Sequence, residues 1–271
     1  MHTTNRLRLV LASASPARRK LLQAAGIEPD VLVSGVDESQ VDPSTPEALS
    51  LTLAQMKART VAQRFTADLN GSNSTSTGNG STSTADGSTS TSDGFDNRDE
   101  PGDDLRTLVL GCDSVLAFDG EILGKPADAD EAVRRWQAMR GKSGVLHTGH
   151  CLIDLPSGRE VARVAATGVY FAEITDDEIA AYVATGEPLQ VAGAFTIDGL
   201  GGPFVDRVDG DPGAVIGLSL PLFRNLLDEL DLRITDLWAA RTLRGGTGFG
   251  TETTTGPNHT DEPLPSAADL T

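Results

Sequence analysis

Residues 7–19 of the chain read LRLVLASASPARR, and this stretch decides the fold class. Its first six residues are apolar except for Arg8, which is the pattern of a short strand buried in a sheet. Ser15 and Pro16 follow, and a serine N-cap with proline at the first helical position is a typical helix start. The stretch therefore predicts a strand that passes directly into a helix, with Gly26 as the end of that helix.

Further helices are predicted from their first residues. Three of them begin with a Thr or Asp N-cap that has Pro or Glu within the next three residues, and they span residues 45–65, 128–141 and 175–186. Residues 219–230 are predicted as a last, amphipathic helix.

Strands are predicted between these helices. Residues 108–118 and 121–123 flank an Asp-Gly turn, and residues 144–154 and 159–174 flank a Pro-Ser-Gly turn. A short β-like run covers residues 29–33. Because these strands do not follow a simple strand-helix-strand alternation, we expect a mixed sheet flanked by helices, which is an α/β fold.

One folded domain is predicted for residues 6–244, with an interruption at 68–104 and a disordered tail at 245–271. Between Asn70 and Gly94, 19 of 25 residues are Ser, Thr or Gly, and Ala85 is the only apolar side chain. Such a segment buries too little surface to offset the entropy of ordering it. We therefore interpret it as a solvated insertion, and the Gly-, Thr- and Pro-rich tail in the same way.

The composition excludes some classes of partner. The formal net charge of -17 argues against a nucleic-acid surface and against binding to anionic lipid. No apolar run reaches the ~20 residues that a membrane helix needs, and the N-terminus lacks a signal-peptide pattern. Cys112 and Cys151 form neither a disulfide framework nor a metal motif, and they are interpreted as reduced and buried. A cytoplasmic protein is expected.

The junction of the first strand and helix is a candidate phosphate site. It places the hydroxyls of Ser13 and Ser15 beside the guanidinium groups of Arg18 and Arg19. A helix N-terminus favours negative charge, and arginine binds phosphate with two parallel hydrogen bonds. Since Ser-Pro opens many helices and paired arginines often face solvent, the pattern alone leaves an anion site and a plain helix start equally open.

Two carboxylates are the candidates for metal binding and acid-base chemistry. Asp113 interrupts the apolar strand 108–118, so it either faces a cleft or has a partner, because an unpaired buried charge costs too much. Glu38 follows the short run at 29–33. If the two carboxylates converge, their oxygens can hold a divalent cation and position a water molecule for attack on phosphorus.

Two of the four lysines lie in suggestive places. Lys125 occupies the rigid turn Gly124-Lys125-Pro126 after a strand, and Lys57 lies on the second predicted helix. Both are candidates for neutralising phosphate, although a structural role is equally open for Lys57. His147 is interpreted as a strand residue rather than a base.

Taken together, these segments resemble the Maf family of nucleotide pyrophosphatases, which is related in fold to the inosine triphosphate pyrophosphatases. The similarity extends over nearly all of the predicted body. The segments that carry it are residues 11–19, 36–38, 54–58, 112–114, 122–126, 148–149, 186–188, 192–195 and 215–221.

The resemblance implies a two-lobed α/β fold with a central cleft, a cytoplasmic location and often a homodimer. It implies hydrolysis of a nucleoside triphosphate to the monophosphate and pyrophosphate with Mg²⁺ or Mn²⁺. Asp113 matches the proton acceptor that activates water, and Glu38 matches a carboxylate that helps Asp113 to hold the metal. The matches to residues that hold the triphosphate are Ser13, Ser15, Arg18, Lys57 and Lys125.

Several positions differ from the common family pattern, and three of them bear on the choice of base. Ala17 replaces the first of two arginines, Ser114 replaces a frequent threonine, and Asp198 stands where the pyrimidine-selective branch has glutamine. These positions are expected to select the base, so their departures leave the choice of base open.

Two other functions remain as alternatives. The first is a non-catalytic nucleotide-binding regulator of septum formation, which needs the phosphate site but no metal carboxylates. The second is a phosphohydrolase that removes a terminal phosphate. The presence of Asp113, Glu38 and Lys125 together favours the pyrophosphatase.

Overall fold

The computed structural model of the chain describes residues 7–38, 41, 45–72 and 105–238. The strands are β1 Leu7–Leu11, β2 Asp30–Val31, β3 Arg106–Phe118, β4 Glu121–Leu123, β5 Ser143–Asp154, β6 Glu160–Phe171 and β7 Val205–Asp209. The helices are α1 Pro16–Ala24, α2 Pro46–Ser72, α3 Ala129–Met139, α4 Asp176–Ala184, α5 Pro212–Ile216 and α6 Leu220–Glu229.

The strands form one mixed sheet of seven strands, which confirms the predicted α/β class. Its order is β2-β1-β3-β5-β6-β7, and β4 pairs with β3. β1 runs parallel to both β2 and β3, whereas the other pairs are antiparallel. None of the helices in the described ranges is both long enough and apolar enough to cross a membrane.

The predicted turns and caps are largely confirmed. Asp119 and Gly120 both have positive φ, as a two-residue hairpin turn requires. Thr175 and Glu178 form a complete capping box at α4. At α3, Asp128 accepts a hydrogen bond from the amide of Glu131, but the Glu131 side chain bonds the amide of Ala127 instead of that of Asp128.

Two predicted boundaries are wrong. α2 continues to Ser72 rather than ending near Phe65, because no helix-breaking residue precedes Gly71. The first residues of the predicted insertion are therefore helical, and its remainder lies outside the described residues, as does the predicted tail. β6 ends at Phe171 rather than Ile174, because the amide of Ala172 bonds the carbonyl of Phe204.

Two elements, β7 and α5, gave no signal in the sequence. β7 reads VDRVD, and its side chains are half-buried or exposed without a period of two. As an edge strand it buries little apolar surface, so the alternation by which a strand is recognised is missing. α5 has five residues, too few for a helical pattern.

One face of the sheet carries two apolar cores. Along β3 successive side chains point to opposite faces. On one face, Leu108 and Leu110 join a core with α1 and α6, whereas Leu116 and Phe118 join a second core with α3 and α4. Ser114 lies on the same face between the two cores. This division accords with the two-lobed arrangement that the family resemblance implies.

The opposite face of the sheet is covered by α2 at very short range. A Cβ atom on Gly111 would lie 2.3 Å from the carbonyl oxygen of Ala54, and one on Gly149 would lie 2.2 Å from that of Ser50. Adjacent β3 and β5 therefore need glycine at these positions. The close approach brings the next turn of α2, with Lys57, next to the middle of β3.

We expect Gly149→Ala to push α2 away from the sheet. The added methyl group meets backbone atoms, which cannot rotate aside, so the free energy of unfolding should fall by about 1–3 kcal/mol. Urea denaturation followed by circular dichroism measures this change. Gly124→Ala is the control, because nothing lies within 4 Å of a Cβ atom there. Equal stability of the two variants would contradict the assigned close approach.

Candidate active site

The junction between β1 and α1 folds as the sequence predicts. Ser15 has extended backbone angles and caps α1, and its Oγ accepts a hydrogen bond from the amide of Arg18 at 3.4 Å. The Oγ of Ser13 accepts one from the amide of Ser15 at 3.2 Å. The two hydroxyl oxygens therefore hold the backbone of the turn, and they lie at the positively polarised end of α1.

Arg18 ties this junction to the rest of the fold. Its side chain donates to the carbonyl of Gly217 at 2.8 Å, to Ser13 Oγ at 3.0 Å and to Ser114 Oγ at 3.2 Å. Arg18 is only 9% exposed. A guanidinium has five N–H donors, and the residues that the structure describes accept hydrogen bonds from three of those of Arg18. Gly217 has a φ of 123°, and a Cβ atom there would lie 2.9 Å from Arg18 Nε.

Ser114 continues the chain of hydrogen bonds across the sheet. The Oγ1 of Thr148 donates its proton to the carbonyl of Ala214 at 2.8 Å. Ser114 Oγ lies 2.9 Å from the same Thr148 oxygen, so Ser114 must be the donor of that bond. Its lone pair then accepts from Arg18. The hydroxyl predicted to select the base is thus already engaged in fixing Arg18.

On the opposite face of β3, Lys57 brings together the two predicted carboxylates. Its Nζ lies 2.5 Å from an oxygen of Asp113 and 2.7 Å from an oxygen of Glu38. The side chains of Lys57 and Asp113 are 13% and 11% exposed, whereas that of Glu38 is 54% exposed. Asp113 is therefore paired, which is one of the two alternatives that the sequence left open.

Burial raises the pKa of Asp113 above its ordinary value, and this effect exceeds the opposing effects of Lys57 and Arg18. The negative charge of Glu38 raises the pKa further. Carboxylates with raised pKa values are suited to accept a proton near neutral pH. Because both cations act on Asp113, the network on each face of β3 lies within electrostatic reach of this carboxylate.

The structure thus places most of the predicted site residues, but not all of them, in one of two networks of hydrogen bonds and ion pairs. Ser13, Ser15, Arg18 and Ser114 share one network, and Asp113, the neighbour of Ser114 in the chain, anchors the other. Ala17 is half-buried in the first turn of α1. The side chains of Lys125 and Asp198 are exposed and form no hydrogen bond or ion pair with any residue in the described ranges.

His150 is a structural residue that sequence reasoning missed. Its Nε2 accepts a hydrogen bond from the amide of Ser219, so its Nδ1 carries the proton and donates to the carbonyl of Thr148. Burial lowers the pKa of His150 to about 4. The ring therefore stays neutral and fixes the first turn of α6 on β5. Its isolated place in the sequence gave no signal of this role.

His147 lies in β5 opposite Val115, so its place in a strand is as predicted. It is on the face of the sheet that carries Asp113, and its Nδ1 is buried without a hydrogen-bond partner in the described part of the chain. Cys112 and Cys151 are unpaired and buried, and burial raises the pKa of Cys112 to about 11. Within the described ranges there is no group of three or more His, Cys, Asp or Glu side chains that could hold a metal ion by themselves.

The chain is similar to known proteins over most of its length. The model of the Maf-like protein family matches residues 8–230, which include both networks. The chain belongs to the Maf family. A relative from Salinispora tropica is 55% identical over 261 residues, which are 96% of this chain and 97% of the relative. A relative from Streptomyces coelicolor is 53% identical over 86% of this chain and 96% of its own length.

A third relative comes from another bacterial group. The protein of Nostoc punctiforme is 47% identical over 229 residues, or 84% of this chain and 96% of its own length. All three relatives carry the name nucleoside triphosphate pyrophosphatase. The Maf similarity thus extends over the whole arrangement of β1, α1, α2 and β3 that builds the site.

We expect Lys57→Met to destabilise this Maf-family chain by about 3 kcal/mol, because it leaves Asp113 buried without its cation. The double variant Lys57→Met/Asp113→Asn should recover part of that loss, since the unpaired charge is removed as well. Chemical denaturation of these two variants and of Asp113→Asn alone provides the comparison. If the double variant is as unstable as the sum of the single changes predicts, the two side chains are not coupled.

Acid should weaken the fold through His150. The unfolded chain takes up a proton near the ordinary pKa of 6.5, whereas the folded chain does so only near 4. The contribution of His150 to the free energy of unfolding is therefore complete above pH 6.5. It falls by a total of about 3 kcal/mol as the pH drops towards 4. His150→Gln should show a shallower decline over that range in denaturation at stepped pH. An unchanged slope would exclude His150 as the cause.

Proposed function

We propose that this protein hydrolyses a nucleoside triphosphate to a nucleoside monophosphate and pyrophosphate. The observation that carries the proposal is the buried Asp113 of a Maf-family chain, which has a raised pKa, pairs with Lys57 and lies within electrostatic reach of Arg18. The names of the relatives support the same activity.

The triphosphate would be held by groups that lie on both sides of β3. Ser13 and Ser15 mark the positively polarised start of α1, and Arg18 retains two N–H donors that no described acceptor takes up. Lys57 adds a second cation, and we assign Lys125 to the same phosphate chain. Fixed cations and amide dipoles of this kind stabilise the charge that develops on phosphate oxygens during transfer.

Asp113 is the group that we assign as proton acceptor. Its carboxylate takes a proton from the attacking water, and its raised pKa brings it closer to neutrality than an exposed aspartate. Lys57 holds the carboxylate in place through its 2.5 Å contact. The water then attacks the α-phosphorus, the bond to the β-phosphate oxygen breaks, and pyrophosphate leaves.

A divalent cation fits the same carboxylates. Asp113 and Glu38 both approach Lys57 Nζ, so their oxygens converge on one small region, and such hard oxygen donors suit Mg²⁺ or Mn²⁺. Mg²⁺ usually binds one or two carboxylates together with substrate phosphates, so two protein ligands suffice. When bound, the cation would neutralise phosphate charge and lower the pKa of a coordinated water.

Residues other than Asp113 and Glu38 would select the base of the nucleotide. Asp198 is exposed on the segment that follows the turn Ala192–Ala194, and an ionised carboxylate can only accept hydrogen bonds. Ala17 leaves space beside the start of α1, and Ser114 would act through its bond to Arg18. The cytoplasmic location and the homodimer rest on the family resemblance and stay predictions.

Product analysis tests the proposal. The purified chain is incubated with a panel of nucleoside triphosphates and Mg²⁺ or Mn²⁺, and pyrophosphate, monophosphate and orthophosphate are quantified. We expect the wild type to release equal amounts of monophosphate and pyrophosphate. Asp113→Asn should lower the rate of release by a factor of about 100 or more, as the removal of a general base predicts. Asp228→Asn, a change of an exposed carboxylate on α6, is the matched control.

Each alternative function has its own outcome in this assay. Release of orthophosphate would identify a phosphohydrolase that acts on the terminal phosphate. Nucleotide binding by the wild type without turnover of any substrate would favour the non-catalytic regulator of septum formation.

A further inference from the structure

The turn that carries Lys125 is held by hydrogen bonds on both of its sides. Lys125 itself is exposed, and its ammonium has no hydrogen bond or ion pair among the residues the structure describes. The residues on either side of it are bonded, however. The carbonyl of Gly124 accepts one hydrogen bond from Arg135 Nη1 at 2.6 Å and another from the amide of Gly193 at 3.0 Å.

The other side of the turn is held by Glu131. One of its carboxylate oxygens accepts from the amide of Ala127 at 2.7 Å, and the other pairs with Arg135 Nη2 at 2.5 Å. The bond from Ala127 also holds the pKa of Glu131 below its ordinary value, so the carboxylate stays ionised. Glu131 and Arg135 lie one turn apart on α3, so a single ion pair connects both sides of the turn to the same helix.

The helix that bears this pair is itself fixed in the second core. Trp136 is fully buried beside Arg135, and its Nε1 donates to the carbonyl of Ala194 at 2.8 Å. The same 3-10 turn, Ala192–Ala194, supplies the Gly193 amide that bonds Gly124. The backbone around Lys125 is therefore tied to α3 both directly and through this turn. Neither Glu131 nor Arg135 is needed to start the helix at its observed position, since Asp128 provides the N-cap.

We propose that Glu131 and Arg135 are positioning residues which set the location of the Lys125 ammonium for the substrate phosphates. Arg135 holds the carbonyl before the lysine, Glu131 holds the amide after Pro126, and their mutual pairing fixes the distance between the two. An exposed lysine has a flexible side chain, so a fixed backbone origin reduces the freedom that it must lose on binding. This inference rests on the proposed function, because it assigns Lys125 to the phosphate chain of the substrate.

A double-mutant cycle on kcat/KM tests the inference. Arg135→Met in the full chain should lower kcat/KM for the best nucleoside triphosphate by about tenfold, since misplacement of a substrate-holding group has a large effect on rate. In a Lys125→Met background the same change should alter kcat/KM by less than about twofold, because there is no ammonium left to position. A merely structural role would give the same fold-loss in both backgrounds.

Two further variants separate geometry from charge. Arg135→Lys keeps the positive charge, but one ammonium cannot replace the fork that bonds both the Gly124 carbonyl and Glu131. We expect it to lose most of the activity that Arg135→Met loses. Arg134→Met is the matched control, because Arg134 is the adjacent residue of α3, is exposed and bonds no residue in the described part of the chain. It should retain wild-type kcat/KM.

The outcomes distinguish failure of this inference from failure of the proposed function. If the wild type releases pyrophosphate but the losses from Arg135→Met and Lys125→Met multiply, only the positioning role is overturned. If the wild type turns over no nucleotide, the proposed function fails, and the inference fails with it. Should Arg135→Met unfold in thermal denaturation, Glu131→Gln takes its place in the cycle, since it breaks the same connection without removing the arginine.

Discussion

The ion pair between Lys57 and Asp113 is the constraint on which the rest of the arrangement depends. Asp113 interrupts an apolar strand in the middle of the sheet, where an unpaired carboxylate would be too costly. Its cation must come from the helix that covers that face, and α2 can supply it only by packing very close. Gly111 and Gly149 on the strands permit that approach. The ion pair of the site therefore depends on the close packing of α2 against the sheet.

On the other face of β3, buried polar groups are stabilised by hydrogen bonds. Two apolar cores leave a polar band between them, made by Ser114, Thr148 and His150 on adjacent strands. Arg18 enters this band from α1 and is bonded to three acceptors, while His150 stays neutral and holds the start of α6. Burying these groups is tolerable because each has partners. The same bonds hold a guanidinium rigidly within electrostatic reach of Asp113.

Most of the fold was predictable because its signals are local. Helix starts at Ser15, Asp128, Thr175 and Ser219 depend on neighbouring residues, and so does the Asp119-Gly120 turn. The errors arose where local signals were absent or incomplete. β7 lacks an alternating pattern, and the composition of the predicted insertion concealed that α2 continues to Ser72. The bond from Glu131 to Ala127 was also invisible, because the sequence pattern is that of an ordinary capping box.

By itself, the sequence determined the α/β class, the strand-to-helix junction at Ser13–Arg18, and the acids, hydroxyls and cations of the proposed site. Only the tertiary structure decided that Lys57 joins Asp113 to Glu38, that Ser114 faces away from Asp113 and fixes Arg18, and that α3 holds both sides of the Lys125 turn. The physical reason is the range of the interactions. Caps, turns and hydrophobic periodicity act over a few residues, whereas a buried charge finds its partner wherever the fold brings one within reach.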